Sequence, residues 1–185
     1  MSKGFTLLEL IIVIGIIAVL AAVAVLVLNP AQLFAQARDS QRTSDLASVN
    51  SAIALYLSTS VTTPVLGEVP YCSFGTASGF TSGAGLCTER NLYGTNGSGW
   101  VGVNLDGSQG GSPLATLPKD PTNDASYNYS YVGDNTNKAF ELNARLESTK
   151  FRVKMTTDGG DDNTCVTFIE STCFYEAGTD PALNL

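Results

Sequence analysis

The sequence predicts an α+β protein in which a long N-terminal helix packs on a small antiparallel C-terminal sheet. Residues 5–28 are almost wholly apolar, and residues 31–58 repeat apolar side chains at helical spacing. After residue 118, apolar and polar side chains alternate at the period of a strand. A long region rich in glycine and serine separates the helix from the strands. The chain therefore divides into four segments, 1–4, 5–28, 29–58 and 59–185.

Segment 5–28 is long enough to cross a membrane. At 1.5 Å per residue, a helix of this length measures roughly 36 Å, and the apolar core of a bilayer is about 30 Å thick. Lys3 is the only basic residue before it. A positive charge on the short flank favours a cytoplasmic N-terminus, so the C-terminal domain is expected outside the cytoplasm.

Composition argues against two broad function classes. The net charge is −7 and the chain contains no histidine. An acidic chain is repelled by phosphate backbones, so we expect no nucleic-acid partner. Without histidine the commonest general base and transition-metal ligand are missing, and no nucleophile motif is present, so we expect no enzyme activity.

Glu9 is the one acid inside the apolar segment, where an unpaired carboxylate is costly. One interpretation is that its side chain reaches the water at the membrane interface. The other is that it pairs with a free amine at Phe5, created if the chain is cut after Gly4. That amine could belong to a neighbouring subunit shifted along the helix axis. The residues alone leave both interpretations open.

The run Lys3-Gly4-Phe5-Thr6-Leu7-Leu8-Glu9-Leu10 resembles the class III signal of type IV pilins and of type II secretion pseudopilins. The resemblance implies that a prepilin peptidase cuts after Gly4 and that Phe5 is then N-methylated. It also implies that Glu9 pairs with the amine of an adjacent subunit during assembly.

This resemblance implies a structural subunit that polymerises through its N-terminal helix into a type IV pilus or related filament. The partners would be further copies of the chain, the prepilin peptidase and an inner-membrane assembly machinery. The subunit would first be a single-pass protein of the cytoplasmic membrane and then part of an extracellular or periplasmic filament. The alternatives are a type II secretion pseudopilin and a single-pass anchored binding module.

The second half of the helix is predicted to be amphipathic. Many pilins carry a proline within the apolar segment, but here the nearby proline is Pro30, so we expect a kink around Asn29. An apolar stripe follows, and charged residues before it are expected to form a solvated collar. The stripe comprises Leu46, Val49, Ile53 and Tyr56, and the collar comprises Arg38, Asp39, Arg42 and Asp45.

The four cysteines predict two disulfides, because the domain that contains them is expected in an oxidising compartment. Four cysteines allow three connectivities, and the sequence does not decide among them. We favour the local pairs, since each closes one irregular stretch without crossing the predicted sheet. These pairs are Cys72–Cys87 and Cys165–Cys173.

Three alternating runs predict the antiparallel sheet: 127–132, 140–147 and 151–155. The tyrosines of the first run could stack on sugars, but packing in the core is the favoured interpretation. Within the glycine-rich region, residues 100–105 are predicted as a short strand.

We expect no cofactor, with a structural calcium ion as the less favoured alternative. The phrase Leu117-Pro118-Lys119-Asp120-Pro121 resembles the major pseudopilin of type II secretion, in which an acidic loop nearby can hold calcium. Closely spaced oxygen ligands suit Ca²⁺, although a solvated acidic turn is the favoured interpretation. The acidic loop candidates are Asp158, Asp161 and Asp162.

Overall fold

The computed structural model of the chain describes residues 4–75, 81–82, 85–161, 163–167 and 172–180. Two helices come first: α1, Leu7–Leu28, and α2, Pro30–Thr59. Among the described residues seven short strands follow, and α2 packs on the sheet that five of them form. The α+β class predicted from the sequence is confirmed.

Asn29 separates the two helices, as the Asn29-Pro30 pair suggested. Its backbone is left-handed, with φ 40°, and it ends α1. Its side-chain oxygen accepts a hydrogen bond from Gln32 N–H at 3.4 Å, so it also caps α2. Asparagine tolerates the left-handed region, and proline is favoured in the first turn of a helix. The two residues thus stop one helix and start the next.

The strands are β1 (Tyr71–Cys72), β2 (Thr81–Ser82), β3 (Gly85–Leu86), β4 (Thr88–Glu89), β5 (Tyr129–Asp134), β6 (Ala139–Ala144) and β7 (Tyr175–Gly178). The main sheet has the order β4-β1-β5-β6-β7, and β2 pairs with β3 separately. All neighbours in the main sheet are antiparallel except β1 and β4, which are parallel. The sheet is therefore mixed rather than wholly antiparallel.

The predicted apolar stripe of α2 is buried. Leu46, Val49 and Ile53 have no exposed surface, and Tyr56 is nearly covered. They pack in one core with side chains from the sheet and from the glycine-rich region. Tyr129 and Tyr131 belong to this core, so the core interpretation of the tyrosine run is confirmed for these two residues.

The hairpin of β5 and β6 matches the first two predicted strand runs. The Asp134 carboxylate accepts hydrogen bonds from the N–H groups of Thr136 and Asn137, which closes the turn. Gly133 is required by close packing, because a Cβ there would overlap the Tyr131 hydroxyl and the Gly67 carbonyl. Only glycine lets these backbones approach so closely.

Two strand predictions are wrong. The predicted run 151–155 instead leads into a 3₁₀ helix, Arg152–Thr156, and β7 is the strand that pairs with β6. The turn forms because the Ser148 carbonyl accepts hydrogen bonds from Phe151 and Arg152 N–H, which draws the chain into a tight bend. Residues 100–105 form no strand, although Trp100 lies in the core with its indole N–H donated to the Pro118 carbonyl.

Replacing Ile53 with alanine should lower the free energy of unfolding by about 2–5 kcal/mol, because the change removes a buried side chain and leaves a cavity. Urea unfolding of the full chain in detergent can be followed by the fluorescence of Trp100, the single tryptophan, which is fully buried in the same core. Leu55→Ala on the same helix is the control. Leu55 is 40% exposed, so its loss should cost less than about 1 kcal/mol. Equal losses from both variants would contradict this account of the core.

Candidate functional site

The first turn of α1 contains a reciprocal cap. The Thr6 hydroxyl oxygen accepts a hydrogen bond from Glu9 N–H at 3.2 Å. The Glu9 carboxylate in turn accepts hydrogen bonds from Thr6 N–H at 3.1 Å and from the Thr6 hydroxyl at 3.0 Å. This capping box satisfies backbone donors that have no partner within a helix. Glu9 is thereby directed at the N-terminal end of the helix.

The Thr6 cap was missed by the sequence reasoning, which treated Glu9 as an acid without a local partner. The signal was present, because Thr6-Leu7-Leu8-Glu9 has the spacing of a capping box ahead of an apolar run. The carboxylate is therefore held in place before any neighbour arrives.

Gly4 and Phe5 precede this cap and are open to solvent. No atom lies within 4 Å of the position that a Cβ on Gly4 would take, and Phe5 is 81% exposed. Residues 1–3 of the predicted leader lie outside the described part of the chain. Both residues that flank the predicted cleavage point are therefore exposed.

The rest of α1 has no packing partner among the described residues. Its large apolar side chains are between 44% and 76% exposed. The stretch Leu7–Val25 has a mean hydropathy of 3.0 and is long enough to cross a membrane. A helix with this surface is suited to lipid or to other helices and not to water.

Residues 1–25 match the family described as the prokaryotic N-terminal methylation motif. The N-terminal segment carries this motif. It is consistent with the class III signal of type IV pilin-like proteins, in which the motif marks a structural subunit and implies processing by a prepilin peptidase. Together with the apolar α1 it indicates membrane anchoring. No curated protein and no solved structure matches the chain.

A buried ionic cluster joins α2 to the rest of the domain. The Arg42 guanidinium, which has no exposed surface, contacts three carboxylates. It lies 2.9 Å from Asp39, 2.6 Å from Asp120 and 2.6 Å from Glu147. Asp39 also accepts hydrogen bonds from the N–H groups of Glu147 and Ser148. One helix, the loop before β5 and the segment after β6 are thus tied together.

The predicted solvated collar is wrong for two of its four members. Asp39 and Arg42 are fully buried, while Arg38 is partly exposed and binds Glu147. Asp45 accepts a hydrogen bond from the Tyr129 hydroxyl at 2.8 Å. The partner Asp120 is 78 residues away from Arg42, so helical spacing could not reveal the pairing.

The charges of the cluster stabilise one another. Burial alone would lower the pKa of Arg42, but Asp120 and Glu147 outweigh this effect and raise it. Burial would likewise raise the pKa of Glu147, but hydrogen bonds from Arg38 and the charge of Arg42 hold it below its usual range. Arg42 therefore remains charged, and Glu147 is ionised at neutral pH.

Both disulfides are the local pairs expected from the sequence. Cys72 is bonded to Cys87, and Cys165 to Cys173. The first joins β1 to the segment just before β4, and the second fastens the chain that leads into β7. The described residues contain no free cysteine.

Asp158 and Asp161, two of the three candidates in the acidic loop, have different neighbours. Asp158 accepts hydrogen bonds from Glu176 N–H at 2.9 Å and from Gly160 N–H at 3.3 Å. Asp161 instead lies beside Glu141 and Glu176, with oxygens from all three within 4.8 Å of one another. Asp162 is outside the described residues. The two glutamates were not candidates in the sequence reasoning, because β6 and β7 are far apart along the chain.

Replacing Glu147 with glutamine should lower the free energy of unfolding by roughly 1–3 kcal/mol at pH 7, since it removes a charged acceptor from a buried arginine. A depressed carboxyl pKa contributes stability above the unfolded pKa of about 4.3, and this is lost as pH falls through the lower folded pKa. The stability difference between wild type and variant should therefore shrink from pH 6 to pH 3.

Urea unfolding at each pH measures this difference. Glu68→Gln is the control, because Glu68 is exposed and its loss should leave the curve unchanged. A difference that stays constant over this pH range would contradict the proposed role of Glu147.

Proposed function

We propose that this chain is a subunit that polymerises through α1 into a type IV pilus or related filament. The observation that carries the proposal is a 22-residue apolar helix, exposed along its length, with Glu9 in its first turn and a processing motif just before it. A helix with this surface must be covered, first by lipid and later by other copies. The role is structural and requires no catalytic group.

Processing comes first. The prepilin peptidase would cut after Gly4, and Phe5 would become the methylated N-terminus. The exposed Gly4 and Phe5 are compatible with access by such an enzyme. Cutting here leaves Thr6 in place, so the mature helix keeps its cap.

The membrane state follows from the charge and length of the segment. Lys3 would hold the unprocessed end at the cytoplasmic face, and α1 would cross the bilayer once. The domain that contains both disulfides would then lie outside the cytoplasm, where disulfides persist.

Assembly would exchange lipid contacts for contacts between α1 helices. The capping box directs the Glu9 carboxylate at the end of the helix, close in the chain to the new Phe5 amine. A neighbour displaced along the filament axis could present its own amine to this carboxylate. In a low-dielectric core such a pair favours one axial offset between subunits, because an unpaired charge there is costly.

The same chemistry would serve a type II secretion pseudopilus, and the small C-terminal domain suits either role. A single-pass anchored binding module is the alternative from another class. Removal of residues 1–4 distinguishes a filament subunit from an anchored module, because an anchor has no need to lose these residues.

Cleavage after Gly4 can be tested by the intact mass of the protein from cells that contain a prepilin peptidase. The expected mass is that of a chain beginning at Phe5 with one added methyl group. Gly4→Val is the matched variant, because nothing surrounds Gly4 that a side chain would strike. It should fold but keep its leader. A wild-type chain that still begins at Met1 or Ser2 would contradict the proposal.

Glu9→Gln separates the two roles that Glu9 could have. Glutamine can complete a capping box, so the helix start is preserved while the charge is lost. We expect the variant to be processed and held in the membrane but to assemble no filaments. Electron microscopy of sheared surface material and immunoblots of membrane fractions measure the two properties.

Thr6→Ala is the matched control. It weakens the cap but keeps the Glu9 carboxylate, so filaments should still assemble. Two results would contradict charge pairing and assign Glu9 a capping role. One is a normal number of filaments in the Glu9→Gln variant, and the other is loss of filaments in the Thr6→Ala variant but not in the Glu9→Gln variant.

A further inference from the structure

Residues 147–154 form a loop that leaves the core and returns to it at nearly the same place. Leu146 and Met155, which flank the loop, have no exposed surface and pack in one small cluster. The Leu146 N–H donates to the Met155 sulfur at 3.2 Å, so the two ends of the loop are held together. The residues between them therefore project from the domain as one unit, the 147–154 loop.

Contacts with α2 determine where this loop lies. The Ser148 N–H donates to the Asp39 carboxylate at 2.7 Å. The next residue, Thr149, donates its N–H and its hydroxyl to the side-chain oxygen of Gln32 at 3.1 and 3.2 Å. Gln32 is about two helical turns closer to the start of α2 than Asp39. The loop thus runs along α2 toward the first turn of that helix.

The first turn of α2 directly follows the helix that is suited to cross a membrane. Gln32 is the fourth residue after Leu28, the end of α1, which corresponds to roughly 6 Å of helical rise. The headgroup layer on each side of a bilayer core is about 5–8 Å thick. With α1 across a bilayer, Gln32 and the loop that it binds lie at the depth of the headgroups.

The loop concentrates positive charge in an acidic chain. The net charge is −7, yet three of the ten basic residues are Lys150, Arg152 and Lys154. Residues 148–157 contain no acid, and Glu147 is already paired with arginines of α2. Lys150 and Lys154 are exposed, and neither forms an ion pair with any residue that the structure describes. Both ammonium groups can therefore meet an anion from outside the domain.

Apolar side chains accompany these charges. The Phe151 ring lies between the two lysines, with its centre 5.8 Å from the Lys150 ammonium and 4.8 Å from the Lys154 ammonium. Val153 is 59% exposed, and Phe34 near the start of α2 is 67% exposed. Lysines beside exposed apolar groups are typical of surfaces that lie at the boundary between headgroups and acyl chains.

We propose that the 147–154 loop docks on anionic phospholipid headgroups of the membrane that α1 crosses. Lys150 and Lys154 would bind the headgroup phosphates, while Val153 would enter the apolar boundary. Docking would hold the domain in one orientation above the bilayer until the subunit leaves the membrane. Each lysine at an anionic surface shifts such an equilibrium roughly fivefold. The proposal rests on the membrane stage of the proposed function and not on the filament stage.

The test uses the full chain in nanodiscs of phosphatidylcholine alone or of equal parts phosphatidylcholine and phosphatidylglycerol. Amide hydrogen exchange, measured by mass spectrometry, reports on peptides that cover the 147–154 loop. At about 0.1 M salt we expect exchange to be at least fivefold slower in the anionic discs. At about 1 M salt this difference should disappear, because the Debye length falls from about 10 Å to about 3 Å.

Lys154→Gln should remove most of the slowing in anionic discs, and Lys119→Gln is the matched control. Each variant removes one exposed lysine that lies near an aromatic ring, so the fold should be unaffected. Lys119 is next to Asp120, which binds Arg42. Arg42 is roughly 15 Å further along α2 than Gln32, beyond the Debye length at about 0.1 M salt. Lys119→Gln should therefore leave exchange in the loop as slow as in the wild type.

Size-exclusion chromatography of the discs separates failure of the docking proposal from failure of the proposed function. A chain that enters neither kind of disc would contradict the membrane stage and the docking proposal with it. Docking alone would be overturned by a chain that enters both discs but exchanges equally fast in them. Slowing that persists in Lys154→Gln, or that is lost equally in Lys119→Gln, would likewise overturn it.

Discussion

A helix of 22 residues with a single polar side chain must be removed from water, and nothing in the described part of the chain covers it. Each large apolar side chain that leaves water contributes about 1.5–3 kcal/mol. Summed over α1, this exceeds the whole stability of a typical domain. The helix is therefore stable only in lipid or among other helices, and the processing motif at residues 1–25 is compatible with both environments in succession.

Asn29 ends α1 and begins α2, so the helix that must be covered and the helix that folds with the domain are separate elements. α1 takes no part in the core, whereas α2 contributes its whole apolar stripe to it. The Arg42 cluster adds a polar junction on α2 ahead of the apolar stripe, and it joins α2 to two loops. Breaking such a cluster leaves a buried charge without compensation. The cluster therefore favours one position of α2 on the domain. The domain can thus stay folded while α1 changes its surroundings.

Local patterns in the sequence were sufficient to predict the elements whose structure depends mainly on their own residues. The length of α1, the stripe through Ile53 and the β5–β6 hairpin all follow from periodicity and turn residues. The failures have other causes. Arg42 is buried because of partners distant in the chain, and residues 151–155 bend because Ser148 supplies hydrogen bonds that outweigh a five-residue alternation. The grouping of Glu141, Asp161 and Glu176 likewise depends on the pairing of β6 with β7, which no local pattern reveals.

We propose that α1 forms the core of a filament in which charge pairing determines the axial offset between subunits. Electron cryomicroscopy of native filaments that contain this chain measures it most directly. We expect α1 helices packed along the filament axis, with the Glu9 carboxylate of one subunit within hydrogen-bond distance of the Phe5 amine of another. Filaments in which α1 lies outside the core, or in which Glu9 faces only its own Thr6, would contradict it.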